Sequence, residues 1–178
     1  MRVPLVDLAA QEEAVAPEAL AAVADVARGA RFVLGPKVEA FEAWLAAECG
    51  VGHAVGVASG TDAVELALRA LGVGAGDAVV TPAFSFVAAA EAVAATGARP
   101  VFCDVDASTL NVGIETAQEA VARARRAGWR VRAIVPVDLF GACAPRAALE
   151  ALAAREGLAL KSRLENRRRI VFAFKGQQ

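Results

Sequence analysis

One short segment of the sequence has the residue types and the order that bind an anion. It reads Val57-Ala58-Ser59-Gly60-Thr61-Asp62-Ala63, with a short apolar run before it and a helical pattern after it. At such a strand-to-helix junction, free backbone N–H groups and the positive end of the helix dipole converge, and small side chains let a phosphate come close. A plain N-cap explains Ser-Gly-Thr about as well, so both interpretations stay open on this segment alone.

A second segment places aromatic residues after the next predicted strand. It reads Thr81-Pro82-Ala83-Phe84-Ser85-Phe86 and continues into Val87-Ala88-Ala89-Ala90. An aromatic side chain at the carboxyl end of a strand can cover a planar ring, although two phenylalanines at such a position are more typical of a core.

Two other kinds of phosphate loop do not fit the sequence. The glycines of Gly72-x-Gly74-x-Gly76 precede a strand and lack the third glycine of a dinucleotide fingerprint, and no GxxxxGK[ST] motif is present. A nucleotide-binding module of the dinucleotide type is therefore disfavoured.

The periodicity of apolar residues predicts the elements that position these segments. It indicates helices over 17–28, 38–49, 61–71, 87–95, a stretch ending at 127, and 145–156, with strands over 53–58, 78–82, 99–103, 131–137 and 158–160. The continuous apolar run 53–58 is typical of a strand covered on both faces. The alternation predicts an α/β fold with a mainly parallel sheet and helices on both faces, and ligands bind such sheets beyond the carboxyl ends of the strands.

Composition limits the classes of partner. The chain has 178 residues, 57% of them hydrophobic, a net charge of -1 and a pI near 5.9, so it has no electrostatic reason to bind nucleic acid or an anionic membrane. No leader and no apolar run near the ~20 residues of a membrane span occur, which predicts a cytoplasmic protein. Cys49, Cys103 and Cys143 are too scattered for a disulfide framework or a metal site, and His53 is interpreted as a structural residue.

The composition changes abruptly at Lys161. Residues 161–178 contain six basic side chains and one acidic one, whereas residues 1–160 carry a net charge of -6. One interpretation is an exposed basic tail, and the other is a shifted reading frame or a fusion scar.

The order and spacing of the two motifs resemble the sugar aminotransferases of the DegT/DnrJ/EryC1/StrS family, a branch of the aspartate-aminotransferase fold. Three further segments are similar to family signatures, and they cover residues 31–42, 101–111 and 134–141. The resemblance covers about residues 1–160 and implies an incomplete large domain of a pyridoxal-phosphate-dependent transferase of fold type I. Residues 161–178 then form a basic tail foreign to the family, which favours the frameshift or fusion interpretation.

The resemblance also implies a function and a set of site residues. Gly60, Thr61 and Asp62 would hold the phosphate of pyridoxal 5′-phosphate, mostly through backbone amides, and Phe86 would stack on its ring, with Phe84 as the alternative. The reaction would move an amino group, usually from glutamate, onto a nucleotide-linked keto sugar, in a homodimeric enzyme. The resemblance assigns no catalytic role to Asp138.

The sequence departs from the family after Leu160, where a Glu-Asp-Ala-Ala-Gln-type segment is expected and Lys161-Ser162-Arg163-Leu164-Glu165 stands instead. The family's aspartate pairs with the pyridine nitrogen and its later Ser-x-x-x-Ser-Lys segment supplies the Schiff-base lysine. The lysines of the chain are Lys37, Lys161 and Lys175, none in that context, so no catalytic residue and no metal ligand is assigned. We expect a chain truncated before the catalytic lysine that binds the cofactor weakly. The alternative is a catalytically inactive fragment or a subunit-binding pseudoenzyme.

Overall fold

Helices and strands alternate along the chain. The computed structural model describes residues 7–160, with only the backbone at Gln11, and the backbone of Val171–Ala173. The helices are α1 (Leu8–Gly29), α2 (Pro36–Glu48), α3 (Gly60–Ala70), α4 (Ala88–Ala95), α5 (Ile114–Arg126) and α6 (Arg146–Glu156); the strands are β1 (Ala54–Gly56), β2 (Asp77–Pro82), β3 (Arg99–Cys103), β4 (Arg130–Ile134), β5 (Ala159–Leu160) and β6 (Val171–Ala173). A short 3₁₀ turn spans Leu139–Gly141.

Four of these strands form one parallel sheet in the order β3-β2-β4-β5. Strand β2 lies at the centre, and all six of its residues are buried. Its side chains alternate between two cores, as the two-residue period of a strand requires. Ala78 and Val80 pack with residues of α5 and α6, whereas Val79 packs with residues of α3 and α4. The prediction of a parallel sheet with helices on both faces is confirmed.

Helix α5 shows why one face of the sheet is covered. Its residues Ala117, Ala120, Val121 and Ala124 are buried, and their spacing places them on one side of a helix. The chain then turns at Gly128, whose φ of 82° is a left-handed conformation that suits glycine.

The chain divides into two compact units, residues 1–44 and 45–178. In the first unit the predicted start of a helix at Pro17 is wrong, because α1 begins at Leu8. The Asp7 side chain caps that helix by accepting a hydrogen bond from the Ala10 amide at 3.2 Å. Proline is common at the first position of a helix, which makes Pro17 look like a start, but here it lies inside the helix.

Two strand predictions in the second unit also need correction. Strand β1 has three residues where six were predicted, and its Val55 is 56% exposed, so the strand is not covered on both faces. Within the described residues β1 pairs with β6 alone, which leaves it short of neighbours. Strand β4 was predicted to reach residue 137 but ends at Ile134. The Val135 amide still donates to Val80 O at 2.8 Å, but Pro136 has no N–H with which to continue the hydrogen bonds between the strands.

The basic tail is described only at β6, whose backbone pairs in parallel with β1 in register Ala54 to Val171. The break in composition at Lys161 also predicts that residues 161–178 stay outside the packed core, with Arg167–Arg169 in solvent. Apart from β6, these residues lie outside the described part of the chain.

Candidate cofactor site at the carboxyl edge of the sheet

The strand order predicts a ligand-binding crevice beyond the carboxyl ends of β2 and β4. From β2 the chain moves to β3 on one side, and it then crosses back to β4 on the other side. Such a reversal separates the loops that follow the two strands, and ligands bind open α/β sheets in the resulting crevice. The loop after β2 carries Phe84, Ser85 and Phe86, and the loop after β4 carries Asp138.

Helix α3 begins with a capped turn. Ser59 is extended, with φ -150° and ψ 167°, and its Oγ accepts a hydrogen bond from the Asp62 amide at 3.1 Å. The Ser59 hydroxyl donates in turn to Asp62 Oδ2 at 2.9 Å. The amides of Gly60 and Thr61 donate no hydrogen bond within the part of the chain that the structure describes. Two backbone donors at the positive end of a helix are thus available to an anion.

The start of α3 and the loop after β2 lie at the same edge of the sheet. Helix α3 leads into the first residue of β2, so its C-terminus lies at the amino edge and its N-terminus at the carboxyl edge. Helix α4 leaves β2 at the carboxyl edge and packs beside α3 in the same direction. The bond from Arg69 Nη2 to Ala95 O, 2.6 Å long, joins their C-terminal ends. Gly60 lies nine residues before Arg69 and Ala88 lies seven residues before Ala95, so with ~1.5 Å of rise per residue the two helix lengths measured from this bond differ by only about 3 Å.

The two phenylalanines of the loop differ in exposure. The side chain of Phe86, two residues before the first residue of α4, is 75% exposed, whereas that of Phe84 is 48% exposed. An exposed ring beside the first turns of two helices can stack on a planar ligand.

Two buried hydroxyls near this edge lack partners. Thr81 is 1% exposed, and within the described residues its Oγ1 and the Oγ of Ser85 have no hydrogen-bond partner. Thr81 follows Val79 by two residues in β2, and alternate residues of a strand point to the same face, so Thr81 lies on the face covered by α3 and α4. Buried polar atoms are nearly always paired in native proteins, so these two hydroxyls are candidates for a bound polar group or water.

The sequence model of the DegT/DnrJ/EryC1/StrS aminotransferase family matches residues 13–162. The chain belongs to this family. A relative from Acidithiobacillus ferrooxidans, UDP-N-acetyl-3-dehydro-alpha-D-glucosamine 3-aminotransferase, is 43% identical over 156 residues, which are 88% of this chain and 41% of the relative. The chain spans about two fifths of the length of the curated relatives it matches.

Solved structures of the family share the fold. A DegT DnrJ EryC1 StrS aminotransferase from Brucella abortus superposes with a TM-score of 0.84 at 41% identity, over 89% of this chain and 43% of that one. NtdA from Bacillus subtilis, solved with bound cofactor PMP, has a TM-score of 0.73 at 30% identity, over 79% of this chain and 31% of that one. These neighbours confirm the fold predicted from the sequence.

Asp138 lies in the loop after β4, and its side chain holds that loop in place. Its Oδ1 accepts a hydrogen bond from the Ala144 amide at 2.8 Å, and Arg146 Nη2 donates to its Oδ2 at 3.3 Å. Asn111 holds the same loop, because its Nδ2 donates to Ala142 O at 2.9 Å. The loop projects Phe140, which is 87% exposed and has a φ of 54°.

The structure adds three features of this edge to those predicted from the sequence. The N-cap interpretation of Ser59 is confirmed, but the bond from its hydroxyl to the Asp62 carboxylate was not predicted, although a serine followed three residues later by an acid is a recognisable capping pattern. No local signal marks Thr81 or Asn111, since their surroundings come from distant segments.

The remaining chemistry-bearing side chains lie apart from these features. Among the described residues no group of histidine, cysteine, aspartate and glutamate could hold a metal ion, and no helix is long and apolar enough to cross a membrane. Cys49, Cys103 and Cys143 are free, and His53 is exposed just before β1. Burial raises the pKa of the Cys103 thiol to about 11, which keeps it protonated and unreactive.

Proposed function

We propose that this chain is the cofactor-phosphate-binding part of a pyridoxal-phosphate-dependent sugar aminotransferase. In the whole protein, an amino group passes from glutamate to a keto sugar linked to a nucleotide. The observation that carries the proposal is the α3 turn, where the two available amides of Gly60 and Thr61 lie at the same sheet edge as the exposed Phe86. Membership of the aminotransferase family supports the reaction class.

The residues at this edge fit the cofactor in donor chemistry. The Gly60 and Thr61 amides and the Thr61 hydroxyl would donate to the phosphate, which the positive end of α3 also stabilises. Phe86 would cover one face of the pyridine ring. The hydroxyls of Thr81 and Ser85, which have no partner among the described residues, could form further hydrogen bonds to a ligand at the same edge. When bound, the cofactor supplies an electron sink for the carbon that loses or gains the amino group.

The names of two relatives support the substrate class. The Acidithiobacillus relative is named for a UDP-linked 3-dehydro sugar, and a Streptomyces venezuelae relative for a dTDP-linked amino sugar. Both names contain a nucleotide-linked sugar, one with a 3-dehydro group and the other with a 3-amino group, which supports that substrate class here.

A second function, that of a non-catalytic fragment or a protein that binds a related subunit, is favoured by one observation. Lys161-Ser162-Arg163-Leu164-Glu165 stands where the family has its Glu-Asp-Ala-Ala-Gln-type segment, so the aspartate that pairs with the pyridine nitrogen has no counterpart there. On this reading the turn binds the cofactor without chemistry.

The cofactor site is tested by binding of pyridoxamine 5′-phosphate, which needs no lysine. We expect Phe86→Leu to weaken binding by about tenfold, the value of a lost aromatic stack, and Phe84→Leu to change it little. Phe102→Leu is the matched control, since Phe102 is 48% exposed, as Phe84 is, but lies within β3. A larger loss of affinity in Phe84→Leu than in Phe86→Leu would show that Phe84 is the stacking residue. Absence of binding by the wild type would refute the site.

The two functions are separated by a second experiment. The 178-residue chain is treated with pyridoxal phosphate, reduced with borohydride and mapped by mass spectrometry, beside an assay of amino transfer to a keto-sugar nucleotide. Scattered labelling of Lys37, Lys161 and Lys175 without turnover is the expected result for this chain. Stoichiometric labelling of one of them with turnover would contradict the non-catalytic alternative. Reading the gene past codon 160 in all three frames then shows whether a Ser-x-x-x-Ser-Lys segment is encoded, and a chain repaired in that frame should gain a single labelled lysine and activity together.

A further inference from the structure

Ser59 and Asp62 form a closed pair of hydrogen bonds in the first turn of α3. The Asp62 amide donates to Ser59 Oγ at 3.1 Å, and the Ser59 hydroxyl donates to Asp62 Oδ2 at 2.9 Å. A serine hydroxyl has one proton to give, so both that proton and the Asp62 amide proton are used inside the turn. Asp62 is therefore occupied by Ser59, unlike its neighbours Gly60 and Thr61.

The pair also fixes a negative charge at the start of the helix. Asp62 Oδ2 and the Asp62 nitrogen share Ser59 Oγ as a hydrogen-bond partner, so they lie within about 6 Å of each other. A carboxylate in the first turn is stabilised by the positive end of the helix dipole, in the same way as a bound anion. The carboxylate and a phosphate on the Gly60 and Thr61 amides would thus draw on the same partial charge.

We propose that the Asp62 carboxylate is an internal competitor of the ligand phosphate, and that it sets the affinity of the turn without contacting the phosphate. The inference rests on the proposed function, because it concerns the same turn. In the free chain the carboxylate stabilises α3 and holds the Ser59 hydroxyl. In the bound chain it repels the phosphate dianion. Asp62 is then a positioning residue for Ser59 with an electrostatic cost to binding.

The decisive variant is Asp62→Asn. An asparagine Oδ1 can still accept from the Ser59 hydroxyl and its backbone amide can still donate to Ser59 Oγ, so the geometry is kept while the charge is lost. The Gly60 and Thr61 amides belong to the same helical turn as Asp62, so a phosphate on them would lie roughly 6 Å or more from the carboxylate. At roughly 6 Å in a water-like dielectric, a unit charge repels a dianion by an amount equal to about tenfold in affinity, and by less at a greater distance. We expect Asp62→Asn to bind pyridoxamine 5′-phosphate about tenfold more tightly at low salt, with a smaller gain at high salt.

Stability should change in the opposite direction. Without ligand, Asp62→Asn loses a favourable charge at the helix start, so its melting temperature should fall. Glu115→Gln is the matched control, because Glu115 lies in the first turn of α5 and its charge stabilises that helix in the same way. It should lower the melting temperature without changing the affinity for the ligand.

The experiment measures pyridoxamine 5′-phosphate affinity by calorimetry, at low and high salt, on the full 178-residue chain. Equal or weaker binding by Asp62→Asn, or an equal gain in Glu115→Gln, would overturn the inference while leaving the proposed function intact if Phe86→Leu still weakens binding. Absence of binding by the wild type and all variants would overturn both. If Asp62→Asn fails to fold by circular dichroism, Asp62→Ser removes the same charge and the same gain in affinity is required of it.

Discussion

Arg130 and Asp77 join the first residues of two neighbouring strands at the amino edge of the sheet. The Arg130 Nε donates to Asp77 Oδ1 at 2.5 Å, and Asp77 is 1% exposed whereas the Arg130 side chain is 67% exposed. The Gly74 amide donates to the other oxygen, Asp77 Oδ2, at 3.0 Å. A buried carboxylate is thus satisfied by one exposed guanidinium and one backbone amide, at the edge opposite to the candidate site.

Loss of the Asp77 charge should destabilise the sheet. Asp77→Asn keeps an acceptor for the Gly74 amide but removes the ionic partner of Arg130. We expect the free energy of unfolding to fall by about 1–2 kcal/mol, a modest value because the Arg130 side chain is largely in solvent. Urea denaturation measures it. Glu91→Gln, an acid in the first turn of α4 with no ion pair among the described residues, is the control and should cost less.

The same pair predicts a dependence of stability on pH. Burial alone would raise the pKa of Asp77, but the Arg130 guanidinium and the Gly74 amide outweigh it and hold the pKa below the usual 3.8. A depressed folded-state pKa contributes stability that is present above the unfolded pKa and is lost as pH falls through the folded pKa. The wild type should therefore exceed Asp77→Asn in stability at pH 5–7 and approach it below about pH 4. A difference independent of pH would show that the carboxylate charge does not matter.

Asn111 should control the loop that follows β4. Its side chain is 3% exposed and donates to Ala142 O, 31 residues away. Asn111→Ala leaves a carbonyl without its donor and should cost about 1–3 kcal/mol of unfolding free energy. Limited proteolysis should then cut near the exposed Phe140 faster than in the wild type. Ser108→Ala, on the exposed end of the same segment, is the control, because the Ser108 hydroxyl bonds to Asp106 and not to Asn111, and equal proteolysis of both variants would contradict the anchoring role.

The local sequence pattern predicts the bounds of an element well where nearby residues determine them. It predicts them poorly where residues distant in the sequence determine them. The start of α3 was predicted one residue from its observed position at Gly60, because a serine cap and a glycine turn mark it. The start of α1 was predicted at Pro17, because proline is common at the first position of a helix. The helix instead begins after the Asp7 cap, which is a weaker indication in the sequence. The Asn111 to Ala142 bond and the two-faced burial of β2 depend on sheet order, which no single segment encodes.

Self-association is expected from the apolar side chains that the structure leaves exposed. In the first unit Phe32, Val33 and Leu34 are 70%, 81% and 74% exposed and consecutive, a larger patch than isolated surface residues make. We expect oligomers at micromolar concentration in sedimentation experiments, and Val33→Lys should shift them toward smaller species. Val15→Lys is the control, because Val15 is an exposed apolar residue of α1 with a glutamate three residues before it and another three residues after it. A stable wild-type monomer would contradict this expectation.

The three cysteines should react with a thiol reagent in the order of their exposure. Cys143 is exposed and lies in the loop that Asp138 and Asn111 hold, so it should be modified first at pH 8. Cys103 is 2% exposed at the end of β3, and burial raises its pKa to about 11, so almost none of it is thiolate at that pH. We expect mass spectrometry to find Cys103 unmodified in the native chain and fully modified in urea.

Cys103→Ser, which puts a hydroxyl in an apolar core, should lower stability, whereas Cys143→Ser should not. Rapid native labelling of Cys103 would mean that β3 opens readily at the edge of the sheet.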